Sequence, residues 1–343
     1  MGKKRFDEVD VSRALGIIGV IAIHILTYNL TNPLNKFLWN YLQFFVIAFV
    51  FCSGFVLTLA YQEKLNTIRQ VFQWYKKRLI RIALPFWIYL VVHYSFWLLF
   101  PDFFSGLGLS KSVDYFIKSA LFTGGTNFNF LPLLFIQLMI LFPLFLNLFN
   151  KKKIIFTYLF FSIFITLIFT VAKFPYSLYR ETMWVPWSLV LLLAIYFYKK
   201  EKEDKNSMVT KLRYLKWGAV FFLGFGILYY LNPYLAKTQI LYNHKYPPDL
   251  YYLLFGVSLT LVILLIAKLK IWQNQKIKNI YYFVSRNSYK IFFIHFIILD
   301  FVLVLANENY LFQNPLTQFV IIFLPSLILG YIFEKISLKF RVL

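Results

Sequence analysis

Two ionisable side chains in the first apolar segment, Arg13 and His24, are the residues best placed to do chemistry. They are eleven residues apart, and at about 100° per residue this spacing brings both side chains to nearly the same face of a helix. The helix rises about 16 Å over that distance. If Arg13 lies at one membrane surface, His24 therefore lies near the middle of the bilayer. Asp10, three residues before Arg13, can pair with it on that face.

The depths of the two side chains suit two different tasks. An arginine at the membrane surface can bind a phosphate group, and a shielded histidine can take a proton from a hydroxyl or briefly accept an acyl group. The alternative is an arginine that reaches the headgroups and a histidine that hydrogen-bonds a neighbouring helix. Because an ionisable residue inside a span costs several kcal/mol, the pair on one face favours a function.

A second basic cluster precedes Pro85. Arg78 and Arg81 are three residues apart, so they are neighbours on a helix. They either anchor the inner end of a span or bind phosphate, and both interpretations remain open.

Three more histidines follow. His295 lies in a late apolar segment, and Asp300 comes five residues later, on a different helix face. His93 lies in the third apolar segment and fits no recognisable pattern. His244 is interpreted as an unremarkable residue of an outer loop.

The composition excludes a soluble globule. Hydrophobic residues make up 60% of the 343 residues and charged residues only 15%, so the solvent of this chain must be lipid. The apolar runs are continuous rather than alternating, which predicts an all-α, polytopic membrane bundle over residues 1–343 as a single domain. We predict ten spans near residues 11–29, 38–60, 82–100, 128–149, 154–172, 183–198, 215–232, 249–267, 287–306 and 316–334.

The positive charges predict the orientation. Of the 36 Lys and Arg residues, 29 fall in one alternating set of connections and termini and 7 in the other, which places both termini in the cytoplasm. This orientation explains most of the +22 net charge, so no nucleic-acid partner is required. The outer connections are rich in aromatic and amide residues, for example residues 242–249. Such residues form an interfacial belt or contact sugars, and both interpretations remain open.

Four motifs occur in order along the chain. They are Asp10-x-x-Arg13 followed after ten residues by His24, then Phe49-Val-Phe-Cys-Ser-Gly-Phe55, then Arg78-Leu-Ile-Arg81-Ile-x-x-Pro85, then Asn287-Ser-Tyr289-x-Ile-Phe-x-Ile-His295. In these motifs the chain resembles the acyltransferase-3 family, integral-membrane acyltransferases that modify cell-surface glycans. The chain differs at Gln137, where many members have an acidic residue. We expect the sub-branch without an extracytoplasmic hydrolase-like domain.

The resemblance implies an acyl-CoA-dependent O-acyltransferase. Acyl-CoA, usually acetyl-CoA, is then a co-substrate that arrives from the cytoplasm, and neither a bound cofactor nor a metal is expected. The roles carried over are catalytic for three residues and acyl-CoA binding for five others. The catalytic set is His24, Arg13 and His295, and the acyl-CoA set is Arg78, Arg81, Asp10, Ser288 and Tyr289.

The partners implied are acyl-CoA, a cell-envelope glycan acceptor such as a polysaccharide, and the bilayer, most simply a bacterial plasma membrane. A glycan or lipid-linked-sugar transporter is the alternative, because intramembrane ionisable residues also mark transport paths. A structural subunit has the least support, since it leaves the pair in the first span without a task.

Overall fold

The computed structural model describes residues 6–65, 67–107, 112–172, 175, 178–204, 206–308 and 310–340. Within these residues the chain forms α-helices joined by short 3-10 turns, and no strand is formed in the same ranges. The α-helices are α1 Asp7–Leu26, α2 Pro33–Leu42, α3 Phe45–Tyr61, α4 Ile68–Leu99, α5 Val113–Ala120, α6 Phe130–Leu148, α7 Lys152–Val171, α8 Tyr179–Thr182, α9 Trp184–Glu203, α10 Ser207–Leu231, α11 Leu250–Ile266, α12 Gln275–Glu308 and α13 Pro315–Phe340.

The predicted spans are confirmed as helices. In the described part of the chain, nine helical segments are long and apolar enough to cross a bilayer, and the predicted eighth span is the shorter apolar helix α11, with 17 residues. A helix satisfies its backbone hydrogen bonds internally, which is what lipid requires of a spanning segment. The chain is therefore an all-α, multi-pass membrane protein. The cytoplasmic position of both termini stays a prediction.

Several helices continue past the apolar segments that predicted them. The α4 helix begins at Ile68 and α12 at Gln275, each more than ten residues before the predicted span. Hydropathy detects only the part of a helix that lies in hydrocarbon, and polar first turns continue the same backbone pattern into water. The predicted span over 38–60 is in turn interrupted, because α2 ends at Leu42 and α3 begins at Phe45.

Two compact units make up the chain. The first contains Met1–Gly16, Asn40–Trp74 and Gln137–Ser285. In this unit α10 packs along α11, and α3 packs against both α9 and α11. Glycine makes the α3–α11 approach possible, because a Cβ atom added to Gly256 would lie 1.9 Å from Cδ1 of Ile47. The expectation of a single transmembrane domain over 1–343 stays a prediction.

The second unit contains Ile17–Trp39, Tyr75–Ile136 and Arg286–Leu343. Its α12 segment contacts α1, α4 and α13 through aromatic and aliphatic side chains. Phe292 and Phe296 of α12 contact His24 of α1, and Tyr89 of α4 stacks on Phe293 at 5.4 Å between ring centroids. The C-terminal half of α12 thus brings residues from three helices around its ionisable side chains.

Candidate functional site

A pair of histidine rings lies inside the second unit. His24 on α1 and His295 on α12 have ring centroids 5.4 Å apart. Phe296 packs against both rings, with centroids 4.5 Å from His24 and 4.2 Å from His295. The sequence indicated each histidine separately, and the structure brings them together in an aromatic environment.

One nitrogen of His295 is available for chemistry. The residue is fully buried, and its Nδ1 lies 3.3 Å from the carbonyl oxygen of Ile291. Since a carbonyl only accepts hydrogen bonds, this contact assigns the ring proton to Nδ1 and leaves a lone pair on Nε2. Within the described residues, Nε2 has no hydrogen-bond partner. Buried polar atoms are normally paired, so an orphan acceptor beside His24 fits a site that a polar substrate group completes.

Arg78 and Tyr289 also lie together in the second unit. The Tyr289 hydroxyl donates a 2.9 Å hydrogen bond to the carbonyl oxygen of Ile82, one helical turn beyond Arg78 on α4. Arg78 is half-buried and interacts electrostatically with Tyr289, whereas Arg81 is exposed. Two of the residues predicted to bind acyl-CoA, Arg78 and Tyr289, are therefore close together, whereas Arg81 is on the exposed face of α4.

The start of the last motif is buried against α13. Ser288 is fully buried, and Asn287 donates a 2.7 Å hydrogen bond to Glu334. Arg286 forms a 2.7 Å ion pair with the same carboxylate. Glu334 was missed by sequence reasoning, although a lone acid near the end of an apolar span is the signal that could have indicated it.

Asp10 and Arg13 belong to the first unit. Asp10 accepts a 2.6 Å hydrogen bond from the Ser285 hydroxyl of α12. Arg13 is half-buried on α1, and it lies close enough to Cys52 of α3 for an electrostatic interaction. Asp10, Arg13 and the second-span motif are therefore neighbours. A direct pair between Asp10 and Arg13 stays a prediction.

His93 has a partner that its sequence position did not reveal. Its Nδ1 lies 3.2 Å from a carboxylate oxygen of Asp300, so α4 and α12 share an ionisable pair in the second unit. The ring of Tyr89 packs on His93 at 5.3 Å, and both line a small cavity of about 10 Å³, room for about one water molecule. Two otherwise unexplained ionisable residues inside spans were the available signal.

The interpretation of His244 as an unremarkable loop residue is wrong. His244 is buried, its Nδ1 lies 2.6 Å from Asp249, and its Nε2 lies 2.8 Å from the carbonyl oxygen of Thr238. Loop sequences carry no periodicity that predicts burial, and the loop here folds back on itself over the end of α11. Gln137 likewise has a local role, since its side-chain nitrogen donates a 2.7 Å hydrogen bond to the carbonyl oxygen of Arg180.

The chain forms long apolar helices, and some of them contain ionisable side chains that lie in pairs. This combination is typical of an integral membrane protein that has a functional site among its helices. The family model for an acyltransferase domain, that of acyltransferase-3, matches residues 6–335. The chain therefore belongs to the acyltransferase-3 family and is a membrane acyltransferase. No curated protein and no solved structure is significantly similar to it.

Proposed function

We propose that this membrane acyltransferase moves an acyl group, acetyl in the first instance, from cytoplasmic acyl-CoA to a hydroxyl of an extracytoplasmic glycan. Family membership supports the acyl transfer. The observation that carries the proposal is the ring pair of His24 and His295, 5.4 Å apart within one unit. Imidazole is the side chain best suited to move a proton near neutral pH.

In this proposal His24 is the general base. It takes the proton of the glycan hydroxyl as the oxygen attacks the thioester carbonyl carbon. The carbon–sulfur bond then breaks. The leaving thiolate takes the proton from the His24 imidazolium to give free CoA, and His24 returns to its neutral form. His295 is a positioning residue, because its Nε2 lone pair can accept a hydrogen bond from the acceptor hydroxyl or from His24.

Arginines bind the donor in the same proposal. Phosphates of acyl-CoA bind guanidinium groups through charge-assisted, often bidentate, hydrogen bonds. Arg78 and Arg81 lie on one helix, and Arg13 precedes His24 on another. Ser288 and Tyr289 on α12 and Asp10 on α1 are the other residues that the proposal assigns to donor binding.

A transfer assay tests the base directly. Membrane vesicles that contain the protein are supplied with acetyl-CoA radiolabelled in the acetyl group, and label in the glycan fraction is measured. We expect His24→Ala to lower the transfer rate by about 10²–10⁴-fold, the usual loss when a general base is removed. Arg13→Ala should raise the KM for acetyl-CoA. Lys36→Ala, at an exposed position, is the control.

Transfer at the normal rate by a correctly inserted His24→Ala protein would contradict the proposal. Movement of unmodified glycan across the vesicle membrane in the absence of acyl-CoA would identify a transporter instead.

A further inference from the structure

A polar pocket of about 260 Å³ lies in the first unit, away from every residue given a role above. It is formed by the C-terminal end of α7 and the connection between α10 and α11, residues 232–249. Its volume is close to the lower end of the range, about 300–1,000 Å³, of small-molecule pockets. A single sugar ring is a ligand of suitable size.

Buried charges form the floor of this pocket. Both nitrogens of His244 face acceptors, Asp249 at 2.6 Å and the carbonyl oxygen of Thr238 at 2.8 Å. The Thr238 carbonyl can only accept, so Nε2 of His244 donates to it, and Nδ1 shares a proton with the carboxyl group of Asp249. Lys237 lies 3.8 Å from Asp249 and donates a 2.6 Å hydrogen bond to the carbonyl oxygen of Phe169. The floor therefore contains both donors and acceptors in fixed positions.

An aromatic side chain and an amide form the wall. Tyr246 lines the pocket, and its ring is held edge-on by Tyr179 at 5.3 Å and Tyr242 at 5.9 Å between centroids. Asn243 is exposed to the pocket and donates a 2.9 Å hydrogen bond to the Thr238 hydroxyl. A rigid aromatic face packs on the apolar face of a sugar ring, while amide and charged groups bond its hydroxyls.

An interfacial belt does not account for this wall. Tyr234, on the same connection, is 87% exposed, as a belt residue should be. Tyr246 is instead half-buried and is held in a cluster of rings above a charged floor. The two tyrosines therefore have different surroundings, and this difference provides a matched control for the experiment below.

The lining comes from connections that the charge pattern assigns to one side of the membrane. Residues 169–172 end the predicted fifth span and residues 236–249 follow the predicted seventh span, and the connections after both spans contain few Lys and Arg residues. The C-terminal end of α7 is hydrogen-bonded to Lys237 and Leu250, which agrees with the two segments having the same side. That side is the predicted extracytoplasmic side, where a glycan is present and acyl-CoA is not.

We propose that this pocket, lined by Lys237, Asn243, Tyr246 and Asp249, is a saccharide-binding site that holds one sugar unit of the acceptor glycan. Its assignment to the acceptor rests on the proposed function, whereas sugar binding itself needs neither acyl-CoA nor His24. The two statements can therefore fail separately.

Cysteine protection tests the site in intact cells. The single native cysteine, Cys52, is buried, so the parent protein provides the unlabelled blank. Ala172→Cys introduces a thiol at an exposed residue that lines the pocket and has no proposed contact with the sugar, and its labelling by a membrane-impermeant maleimide is followed over time. The probes are the methyl β-glycosides of glucose, N-acetylglucosamine and glucuronic acid, with mannitol as a linear polyol control. We expect at least one glycoside to slow labelling several-fold, and mannitol to leave it unchanged.

A second substitution shows whether the ring is the contact. Adding Tyr246→Ala to Ala172→Cys should abolish the protection, whereas adding Tyr234→Ala should preserve it. Elution of the purified variants as single monodisperse peaks in detergent confirms that they are folded. Equal labelling with and without every glycoside would overturn the proposal, and so would protection that survives Tyr246→Ala.

The outcomes separate the two proposals. Protection by a glycoside in a protein that transfers no acyl group leaves the sugar site standing and rejects the acyltransfer chemistry proposed for His24. Acyl transfer to a glycan without any protection rejects the sugar site alone. With both in place, Tyr246→Ala should raise the KM for the glycan several-fold and leave the KM for acetyl-CoA unchanged.

Discussion

The four histidines of this chain occupy three different environments, and the environment of each determines what it can do. His93 and His244 each face a carboxylate, Asp300 and Asp249 respectively. In each of these two rings Nδ1 is engaged by a carboxyl oxygen and is not available to a substrate. His24 instead packs on His295 and on aromatic rings. Within the described residues, Nε2 of His295 has no hydrogen-bond partner, so this pair leaves a ring nitrogen for a substrate group.

The pair of His93 and Asp300 should therefore contribute to stability. Asp300→Ala leaves the half-buried imidazole of His93 without its partner, and we expect a loss of about 1–3 kcal/mol in the free energy of unfolding. His93→Ala in the same background should cost little more, because the interaction is already absent. Reversible denaturation in detergent micelles, followed for both single variants and the double variant, measures the coupling, which should be about 0.5–3 kcal/mol. Strictly additive losses would show that the two side chains do not interact.

Individual residues could be identified from the sequence more readily than their partners. Arg13 and His24 are eleven residues apart on one helix, so their common face follows from helix geometry alone. The partners of His24 and His93, by contrast, come from α12, which is distant in the sequence. Hydropathy marks an ionisable residue inside a span as exceptional, but it contains no information on which other span lies beside it.

At the scale of helices, close packing in the first unit depends on small residues. Because lipid provides no hydrophobic driving force between helices, their association depends on van der Waals packing, and small residues allow the backbones to come close together. Gly256 of α11 faces Ile47 of α3, and Gly54 of α3 faces Leu191 and Ala194 of α9. The helices α3, α9 and α11 therefore pack closely at glycine positions.

Two glycine substitutions separate packing from helix propensity. Gly256→Ala places a methyl group 1.9 Å from Cδ1 and 2.9 Å from Cγ1 of Ile47, so we expect a loss of about 1–3 kcal/mol from overpacking. Gly226→Ala on α10 meets no atom within 4 Å. It should be neutral or stabilise by up to about 1 kcal/mol, because alanine is the better helix former.

Thermal unfolding of both purified variants in the same detergent provides the comparison. A Gly256→Ala protein that melts at or above the temperature of Gly226→Ala would show that α3 and α11 are not closely packed.

At the scale of the whole molecule, the distribution of Lys and Arg predicts which side of the membrane each connection occupies. A network of partly buried charged residues lies in the first unit. Lys268 forms ion pairs with Glu8 and with Glu201, the latter at 2.7 Å, and Tyr214 donates a 2.5 Å hydrogen bond to Glu201. Burial alone would lower the pKa of Lys268, but the two carboxylates outweigh burial and raise it, so the residue stays protonated. This network joins segments that the charge pattern assigns to the cytoplasm.

Thiol labelling at the two ends of α10 tests the orientation. At about 1.5 Å per residue, the 25 residues of α10 exceed the thickness of the hydrocarbon core, about 30 Å. Tyr234→Cys should react with an impermeant maleimide in intact cells. Ser207→Cys should react only after the membrane is permeabilised, because its connection is rich in lysine. The reverse pattern of labelling would place both termini outside the cytoplasm.

The amino-acid sequence by itself determined that this chain is a helical membrane protein, where its spans lie, which side its connections are predicted to occupy, and that Arg13 and His24 share one helix. These features depend on composition and on the regular geometry of a single helix, both of which are local. Only the tertiary structure decided that His295 lies beside His24, that Asp300 faces His93, and that residues 232–249 fold over a charged pocket. In lipid, many apolar surfaces can pack against one another at similar free energy, so the choice of neighbours depends on the shapes of all the helices together.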